Sequence, residues 1–413
     1  MKLDDYRVKV NFKSLDSSVS MFDISRALSC MFLFYYKGCL LREIINEIMN
    51  GTDPIDIVTF NNMVTNGENI RQFNYIMKNI QRFEEISLNG ENVQNTFMKL
   101  GDCYSIFPQE RFEVLRLFKE YFSVTNRIFK KYGLQPLTPH KFGVFWNMYI
   151  KEGIDEGFTK ISNEVLNILN SQFKNKNYKN KIRKNIKDEI INNNRRYSNL
   201  FIEMLSDLKG VQNILPYIKS NDIPHDKANN FVQNNFDSFY KCFNLNVLPL
   251  IAVYNYRENK ITKFLGTDVF NKNESDMYIE LMRITHNSPY DFEFICNSIM
   301  IPLLLDFLTY ELRKYLNKKA RINKMEYEFL QKINCSELSA EQKNDFNRWY
   351  RKLFPTSRMK REISKIKCNY IRDNFMRYYS NLVSDFRNNL NEIKLDIDEG
   401  KSIKIFVDRK NNK

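Results

Sequence analysis

The sequence predicts an α+β protein that is predominantly α-helical and carries a small mixed or antiparallel sheet. Glycine and proline are scarce, at 12 and 10 of 413 residues, so few positions interrupt a helix. Apolar residues recur at helical spacing over much of the first 245 residues, while short runs typical of strands stand near residue 250 and at both chain ends. The hydrophobic fraction of 43%, with 33 Phe and 23 Tyr, is ample for a buried core.

The elements of the first half follow from local patterns. Residues 6–12, YRVKVNF, alternate apolar and polar side chains as a half-buried strand does. The apolar stretch 22–49 predicts helix, with Gly38 as the break between two helices, and 53–60 predicts a second short strand. Helical stripes follow, and we expect them to stop at the glycines that succeed them: Gly133, Gly153 and Gly210.

The pattern changes near residue 245. Two strands joined by a turn at 257–260 are predicted, then a third strand at 277–286. The NSP turn at 287–289 is expected to end that strand and to begin an apolar helix. The last predicted elements are a helix capped by Ser339 and Gln342, a long helix at 357–393, and a hairpin that turns at 398–401.

These elements divide the chain into a mostly helical domain with an N-terminal strand, residues 1–245, and an α+β domain, residues 246–413, that ends in a long helix and a β-hairpin. The strands at the two chain ends can share one sheet. In that case the boundary is a matter of packing and not of separate folding units.

Composition excludes several classes of protein. The seven cysteines are scattered and form no CxxC pair, which argues against a disulfide framework or a zinc knuckle. We find no targeting signal and no apolar run of about 18 residues, so we expect a cytoplasmic protein. No Walker A loop or GxGxxG occurs, and no cofactor is predicted.

The net charge of +14 is concentrated in three segments, 171–197, 313–324 and 351–378. In residues 171–197, nine cations stand against two acids. Projected on a helix, these cations fall on most sides of a narrow isoleucine seam, which is typical of a solvated helix or connector.

In the predicted 357–393 helix the cations are better ordered. Four of them gather opposite an apolar stripe of Met359, Ile363, Ile366 and Tyr370; they are Arg358, Arg361, Lys365 and Arg372. Such a ridge attracts a phosphate backbone through counterion release, without reading sequence. The sequence therefore predicts a non-catalytic protein that binds DNA or RNA, with an acidic protein partner as an alternative.

A second alternative is a metal-dependent phosphoryl-transfer enzyme. On a strand, Asp291 and Glu293 would project from one face and could hold Mg²⁺, as in the DxD or DxE element that nucleotidyltransferases carry. The Gly-Ser helix start that should precede this element is missing. The competing interpretation is the polar start of a helix, where the dipole favours acids.

A third alternative concerns the segment 295–324. Seven apolar residues, 299–305, precede Asp306 and six cations, so the segment could lie in a membrane interface. It is too short to span a bilayer, and a helix buried beside the sheet is the competing interpretation.

Two passages resemble a loose group of uncharacterised bacterial proteins from mobile elements and phage-defence loci. One is MYIELMRITHNSPYDFEFICNSIMIPLLLDFL, with a strand, an [N/G]SP turn and an apolar helix; the other is YRVKVNFKSLDSSVSMFDISRALSCM. Together they cover about 60 of 413 residues. The resemblance implies a role in a phage-defence or mobile-element complex and implies no catalytic residues.

Overall fold

The computed structural model shows the predicted fold class: helices predominate and the strands form two small antiparallel sheets. It describes residues 6–14, 20–60, 102–174, 178–241, 249–255, 260–270, 280–286, 290–297, 300, 303, 336, 338–351, 358–392, 395–397 and 403–407. The predicted helix starts near residues 66 and 89 lie outside this part of the chain.

The first sheet joins the two ends of the chain, as the sequence allowed. Its strands are β1 (Tyr6–Ser14), β6 (Glu280–His286), β7 (Tyr290–Asn297), β8 (Leu395–Ile397) and β9 (Ile403–Val407). β1 pairs with β7 on one edge, and both β8 and β9 pair antiparallel with its other edge. The predicted terminal hairpin is therefore wrong, because β8 and β9 lie end to end along one neighbour and extend a single sheet edge.

The prediction of a helix directly after the 287–289 turn is also wrong. Residues 290–297 form β7, which pairs with β6 as well as with β1. Phe294 and Cys296 alternate with partly exposed residues and are buried, which is the period of a strand. Beyond β7, the described residues of the predicted apolar helix are Met300 and Leu303, both helical and buried.

The second sheet has four strands in the order β3-β2-β4-β5. They are β2 (Ile57–Phe60), β3 (Cys103–Ser105), β4 (Leu250–Asn255) and β5 (Lys260–Leu265), with a 3₁₀ turn at Pro54–Asp56 before β2. β4 and β5 are the two strands that the sequence predicted near residue 250. Each sheet thus combines strands from both sides of the expected boundary at residue 245.

The central helix is α1 (Met21–Met49), which is capped by reciprocal hydrogen bonds between Ser20 and Asp23. It is one uninterrupted helix of 29 residues, so the predicted break at Gly38 is wrong. A Cβ at Gly38 would lie 2.5 Å from Leu303 Cδ1. This glycine therefore permits a close approach between packed segments and does not end a helix.

Four helical segments form an up-down-up-down bundle beside the sheets. They are α2 (Glu110–Lys131), the two arms of α3 (Pro139–Lys174), and α4 (Asn180–Ser220). α3 reverses at Gly153, where φ is 76° and ψ is −177°, as the sequence predicted for a break. Across its arms Lys141 is paired with Glu164 at 2.9 Å. The bundle interior is aromatic, and Trp146 is fully buried in it.

The prediction that Gly210 ends the fourth bundle helix is wrong. α4 continues through Gly210 and Pro216 and ends at Asn221, which adopts the left-handed conformation with φ 65°. Val211 and Ile218 continue the buried stripe past the glycine. Their packing outweighs the cost of about 1 kcal/mol for a glycine inside a helix.

After two short helices, α5 (His225–Phe236) and α6 (Ser238–Lys241), the C-terminal part carries α7 (Ala340–Arg351), α8 (Arg358–Ser364) and α9 (Asn369–Glu392). The predicted Ser339–Gln342 capping box precedes α7. α9 packs against α1, and the rings of Phe34 and Phe386 stack with centroids 4.0 Å apart.

The prediction of a single helix at 357–393 is wrong, because residues 365–368 separate two helices, α8 and α9. Asn221 holds the break from outside. Its Nδ2 donates to Lys367 O at 2.9 Å, and its Oδ1 accepts from Asn369 N at 2.7 Å. A contact remote in sequence thus supplies a partner for backbone groups that an unbroken helix would pair internally.

Candidate nucleic-acid interface

A basic surface lies on the first half of α4. Five cations there are exposed, and we call them the basic face: Lys181, Lys184, Lys187, Arg195 and Arg196. Lys181, Lys184 and Lys187 follow one another at three-residue steps on the side of α4 that is turned away from the bundle, and Arg195 falls between them on that side. Arg196 lies about 100° further round the helix, so the five cations together cover the exposed half of α4. The basic face is about 20 Å long at 1.5 Å per residue.

The opposite side of α4 explains why these cations point outward. Ile186, Ile190 and Tyr197 are fully buried against the bundle. One cation of the segment turns inward: Arg183 donates from Nη2 to Phe173 O at 3.1 Å. Packing therefore fixes the orientation of the helix, and with it the side on which charge collects.

The described residues do not neutralise the basic face. Among the residues that the structure describes, no carboxylate lies within 4 Å of a charged nitrogen of its five members. Glu189, the neighbouring acid, is instead held by α2 and its loop, through Lys131 Nζ at 3.1 Å and Tyr132 Oη at 2.8 Å. Asp188 is the one exposed acid between Lys187 and Arg195.

The charges at the start of α4 run against helix electrostatics. Its first turn holds no acid, and the N-cap residue Lys179 makes no side-chain cap hydrogen bond. Lys181 and Lys184 stand near the positive end of the helix dipole, where a cation costs about 0.3–1 kcal/mol. Their i,i+3 spacing adds like-charge repulsion. An arrangement that opposes local stability is typical of a site with another role.

The neighbouring helix extends the positive surface. Arg127, Lys130 and Lys131 are exposed on the last turns of α2. The guanidinium of Arg196 lies 5.6 Å from the centroid of the Tyr197 ring, and the charges of Arg196 and Arg127 both oppose the rise in the pKa of its phenol. Burial and the hydrogen bond to Glu120 nevertheless raise that pKa to about 12. The phenol therefore remains a neutral hydrogen-bond donor between the two helices.

The other half of the α2–α4 groove has the opposite charge. A cavity of about 750 Å³ there is lined by five acids and by two cations. The acids are Asp102, Glu113, Glu120, Glu203 and Asp207. Both cations are already paired, Lys119 with Asp102 at 2.6 Å and Arg116 with Glu113. The bundle is thus basic at one end of α4 and acidic towards the other, so a polyanion would be confined to the basic end.

The four residues predicted from the sequence lie near the far end of α4. Arg358 and Arg361 stand on α8, Lys365 in the break, and Arg372 on α9. The apolar stripe opposite them is buried as expected. Lys365 is exposed, Arg361 is partly buried, and Arg372 Nε donates to Asp373 Oδ1 at 3.1 Å. Because the helix is broken between them, these cations do not form one straight ridge.

The carboxylate pair lies on a strand, in the interior of the first sheet. Asp291 stands opposite Lys13 in the register of β7 with β1, and Glu293 stands opposite Asn11. The Glu293 carboxylate is paired with Lys9 Nζ at 2.7 Å. In the described part of the chain, no group of three His, Cys, Asp or Glu side chains is arranged to hold a metal ion.

The sequence showed the cations of the basic face but did not show at which residue their helix begins. The helical projection of residues 171–197 included the cations at 176 and 179, whereas α3 ends at residue 174 and α4 begins at residue 180. Within α4, the exposed cations fall on the half of the helix that is turned away from the bundle. The helix start could not be read from a cap, because Lys179 supplies none.

Two further findings bear on function. Among the described residues, no helix has the length and apolarity that crossing a bilayer requires. Comparison of the chain with models of protein families, with curated proteins and with solved structures returned no match.

Proposed function

We propose that this protein is a non-catalytic binding protein that associates with nucleic acid through the basic face of α4. The observation that carries the proposal is the collection of five exposed cations, none paired with a described carboxylate, on one side of a helix whose other side is buried. A phosphate backbone satisfies such a surface by releasing its own counterions.

The proposed contact is with phosphates and not with base edges. Lysine predominates in the helical segment that begins the basic face. The lysine ammonium group acts as a mobile point charge, whereas the planar guanidinium of arginine can form two hydrogen bonds to a base edge. The paired Arg195 and Arg196 stand at the other end of the basic face. Binding should therefore be strong at low salt and largely independent of sequence.

The cations near residue 365 form a second candidate surface for the same function. The break between α8 and α9 divides them, and Arg372 is paired with Asp373 at 3.1 Å. We infer that they contribute less than the basic face. The resemblance to proteins of mobile elements and phage-defence loci favours a role for this binding in such a complex.

The test is fluorescence anisotropy of a labelled DNA or RNA of about 20 nucleotides at low salt. The variant Lys181→Glu, Lys184→Glu, Arg195→Glu reverses three charges of the basic face and should weaken binding at least about 100-fold, since it removes attraction and adds repulsion. The matched control is Lys151→Glu, Lys209→Glu, Lys227→Glu, which makes the same change of charge at exposed positions elsewhere.

Equal loss in both variants would mean that only net charge matters, and the proposal would be wrong. A third variant, with Arg358, Arg361, Lys365 and Arg372 changed to Glu, locates the interface. If this variant loses binding while the basic-face variant retains it, the interface lies at α8 and α9 and not on α4.

A further inference from the structure

A pocket beside the end of α2 has the composition of a site for a negatively charged ligand with an apolar body. It lies where α2 meets the start of α3 and the loop between them, and its volume is about 490 Å³. Its floor is apolar, with Phe122, Leu137 and Phe142. Volumes of about 300–1,000 Å³ with an apolar lining and a few polar groups are typical of small-molecule sites.

The charged groups at this pocket are all cations. Lys119, Arg127 and Lys130 line it, and no carboxylate is present among its described lining residues. Lys119 is already paired with Asp102, so the charge available to a ligand comes from Arg127 and Lys130, which are exposed. An occupant must therefore combine an apolar body with negative charge.

The wall of the pocket is held in place before any ligand arrives. Asn126 fixes the loop from α2, because its Oδ1 accepts from Leu137 N at 2.6 Å and its Nδ2 donates to Leu137 O at 3.3 Å. From the second arm of α3, Gln172 makes two further backbone hydrogen bonds to Gln135. A preformed wall lowers the entropy that binding must overcome.

The pocket lies on the helix that is joined to the start of α4. Arg127 lines the pocket, and its charge, like that of Arg196 on the basic face, acts on the phenol of Tyr197. One helical turn further along α2, Lys131 joins Glu189 of α4. A chain of phosphates that follows the basic face onto the end of α2 therefore reaches the pocket without crossing the acidic half of the groove.

We infer that this pocket receives an unpaired base of a single-stranded nucleic acid whose phosphates lie on Arg127, Lys130 and the basic face. The inference rests on the proposed function and adds a preference to it: the protein should favour single strands over duplexes. In a duplex the bases are stacked and paired, and placing one in the pocket would cost a few kcal/mol of unstacking. In a single strand the base is available to an apolar surface.

The experiment closes the pocket without changing its charge. Ser123 is exposed and lines both this pocket and the neighbouring acidic cavity, which a polyanion would avoid, so Ser123→Leu adds bulk at a helix surface where leucine is well tolerated. The matched control is Ser206→Leu, the same change at an exposed position on the second half of α4. Anisotropy is measured with three probes: oligothymidylate of about 20 residues, a duplex of the same length, and a strand of the same length with abasic sites.

We expect Ser123→Leu to weaken oligothymidylate binding about tenfold, which is the loss of one base contact, while duplex and abasic binding change by less than about twofold. Ser206→Leu should leave all three unchanged. Free thymidine monophosphate should compete only weakly with labelled oligothymidylate, because it lacks the neighbouring phosphates. If it competes as strongly as the unlabelled oligonucleotide does, the pocket is a site for a free nucleotide and the inference is overturned.

Other outcomes separate this inference from the proposed function. If oligothymidylate and the duplex both bind, and Ser123→Leu changes the affinity for neither of them or for both equally, then the pocket receives no base. The proposal that nucleic acid binds to the basic face is kept in that case. If neither binds in a salt-sensitive way, the proposed function itself fails and the inference fails with it. Binding of anionic phospholipid vesicles that Ser123→Leu abolishes, without binding of oligothymidylate, would assign the pocket to lipid and overturn it.

Discussion

The number of phosphates that the basic face engages can be counted from the salt dependence of binding. The perturbation is Lys181→Ala, Lys184→Ala, Arg195→Ala, which neutralises three of its five cations. Alanine is the best helix former, and removing the i,i+3 pair of lysines near the helix start relieves repulsion. The fold of α4 should therefore be kept or slightly stabilised.

The expected magnitude follows from the geometry. Five contacts predict that log K against log salt falls with a slope of about −4.5 for a duplex, and two contacts predict about −1.8. Between about 50 and 200 mM salt the unmodified protein should lose about 500-fold in affinity, and the variant only about 12-fold.

The assay is anisotropy of a labelled duplex at four or more salt concentrations, with unfolding midpoints measured beside it to confirm that the variant is folded. The control neutralises Lys151, Lys209 and Lys227 and should keep the full slope. A slope for the basic-face variant that stays within about one of the unmodified value would refute the assignment of phosphate contacts to these residues.

Three further predictions concern the scaffold. Gly153→Ala places a side chain at φ 76° and ψ −177°, a conformation nearly confined to glycine, and should lower the free energy of unfolding by about 1–3 kcal/mol. Gly210→Ala, inside α4, should raise the free energy of unfolding by about 0.5–1 kcal/mol. Tryptophan fluorescence during denaturation, to which buried Trp146 contributes, measures both changes. If Gly153→Ala is neutral or stabilising, the reversal of α3 does not depend on that conformation. Burial, with a smaller effect of Asp53, raises the pKa of Asp56, so the ionised form is disfavoured in the fold and stability is lost as pH rises through that pKa. Asp56→Asn should therefore raise the free energy of unfolding at pH 7, and the gain should vanish as the pH falls below about 3.9; a gain that persists in acid would contradict this account.

Local sequence patterns anticipated much of the fold where short-range interactions decide it. The strand at β1, the hairpin strands β4 and β5, the capping box before α7 and the reversal at Gly153 were all predicted, because each depends on alternation, a cap or a backbone conformation within a few residues. The sharing of one sheet by the two chain ends was foreseen as an option.

The errors have a common cause in contacts between residues distant in sequence. β7 is a strand because β1 and β6 pair with both its edges, and β8 and β9 are collinear because β1 holds them. The break between α8 and α9 depends on Asn221, which is more than 140 residues away. Apart from β6, which precedes β7 by a few residues, these partners lie outside any window of neighbouring residues.

The same division holds for the candidate interface. The sequence by itself determined that cations are abundant in residues 171–197 and that isoleucines alternate with them at helical spacing. Only the tertiary structure decided where α4 begins and that Arg183 turns inward. It also decided that Lys131 forms an ion pair with Glu189 and that the remaining charges face away from the bundle. The physical reason is that the charge of a side chain is a local property, whereas its exposure and its partners are set by the helices that pack around it.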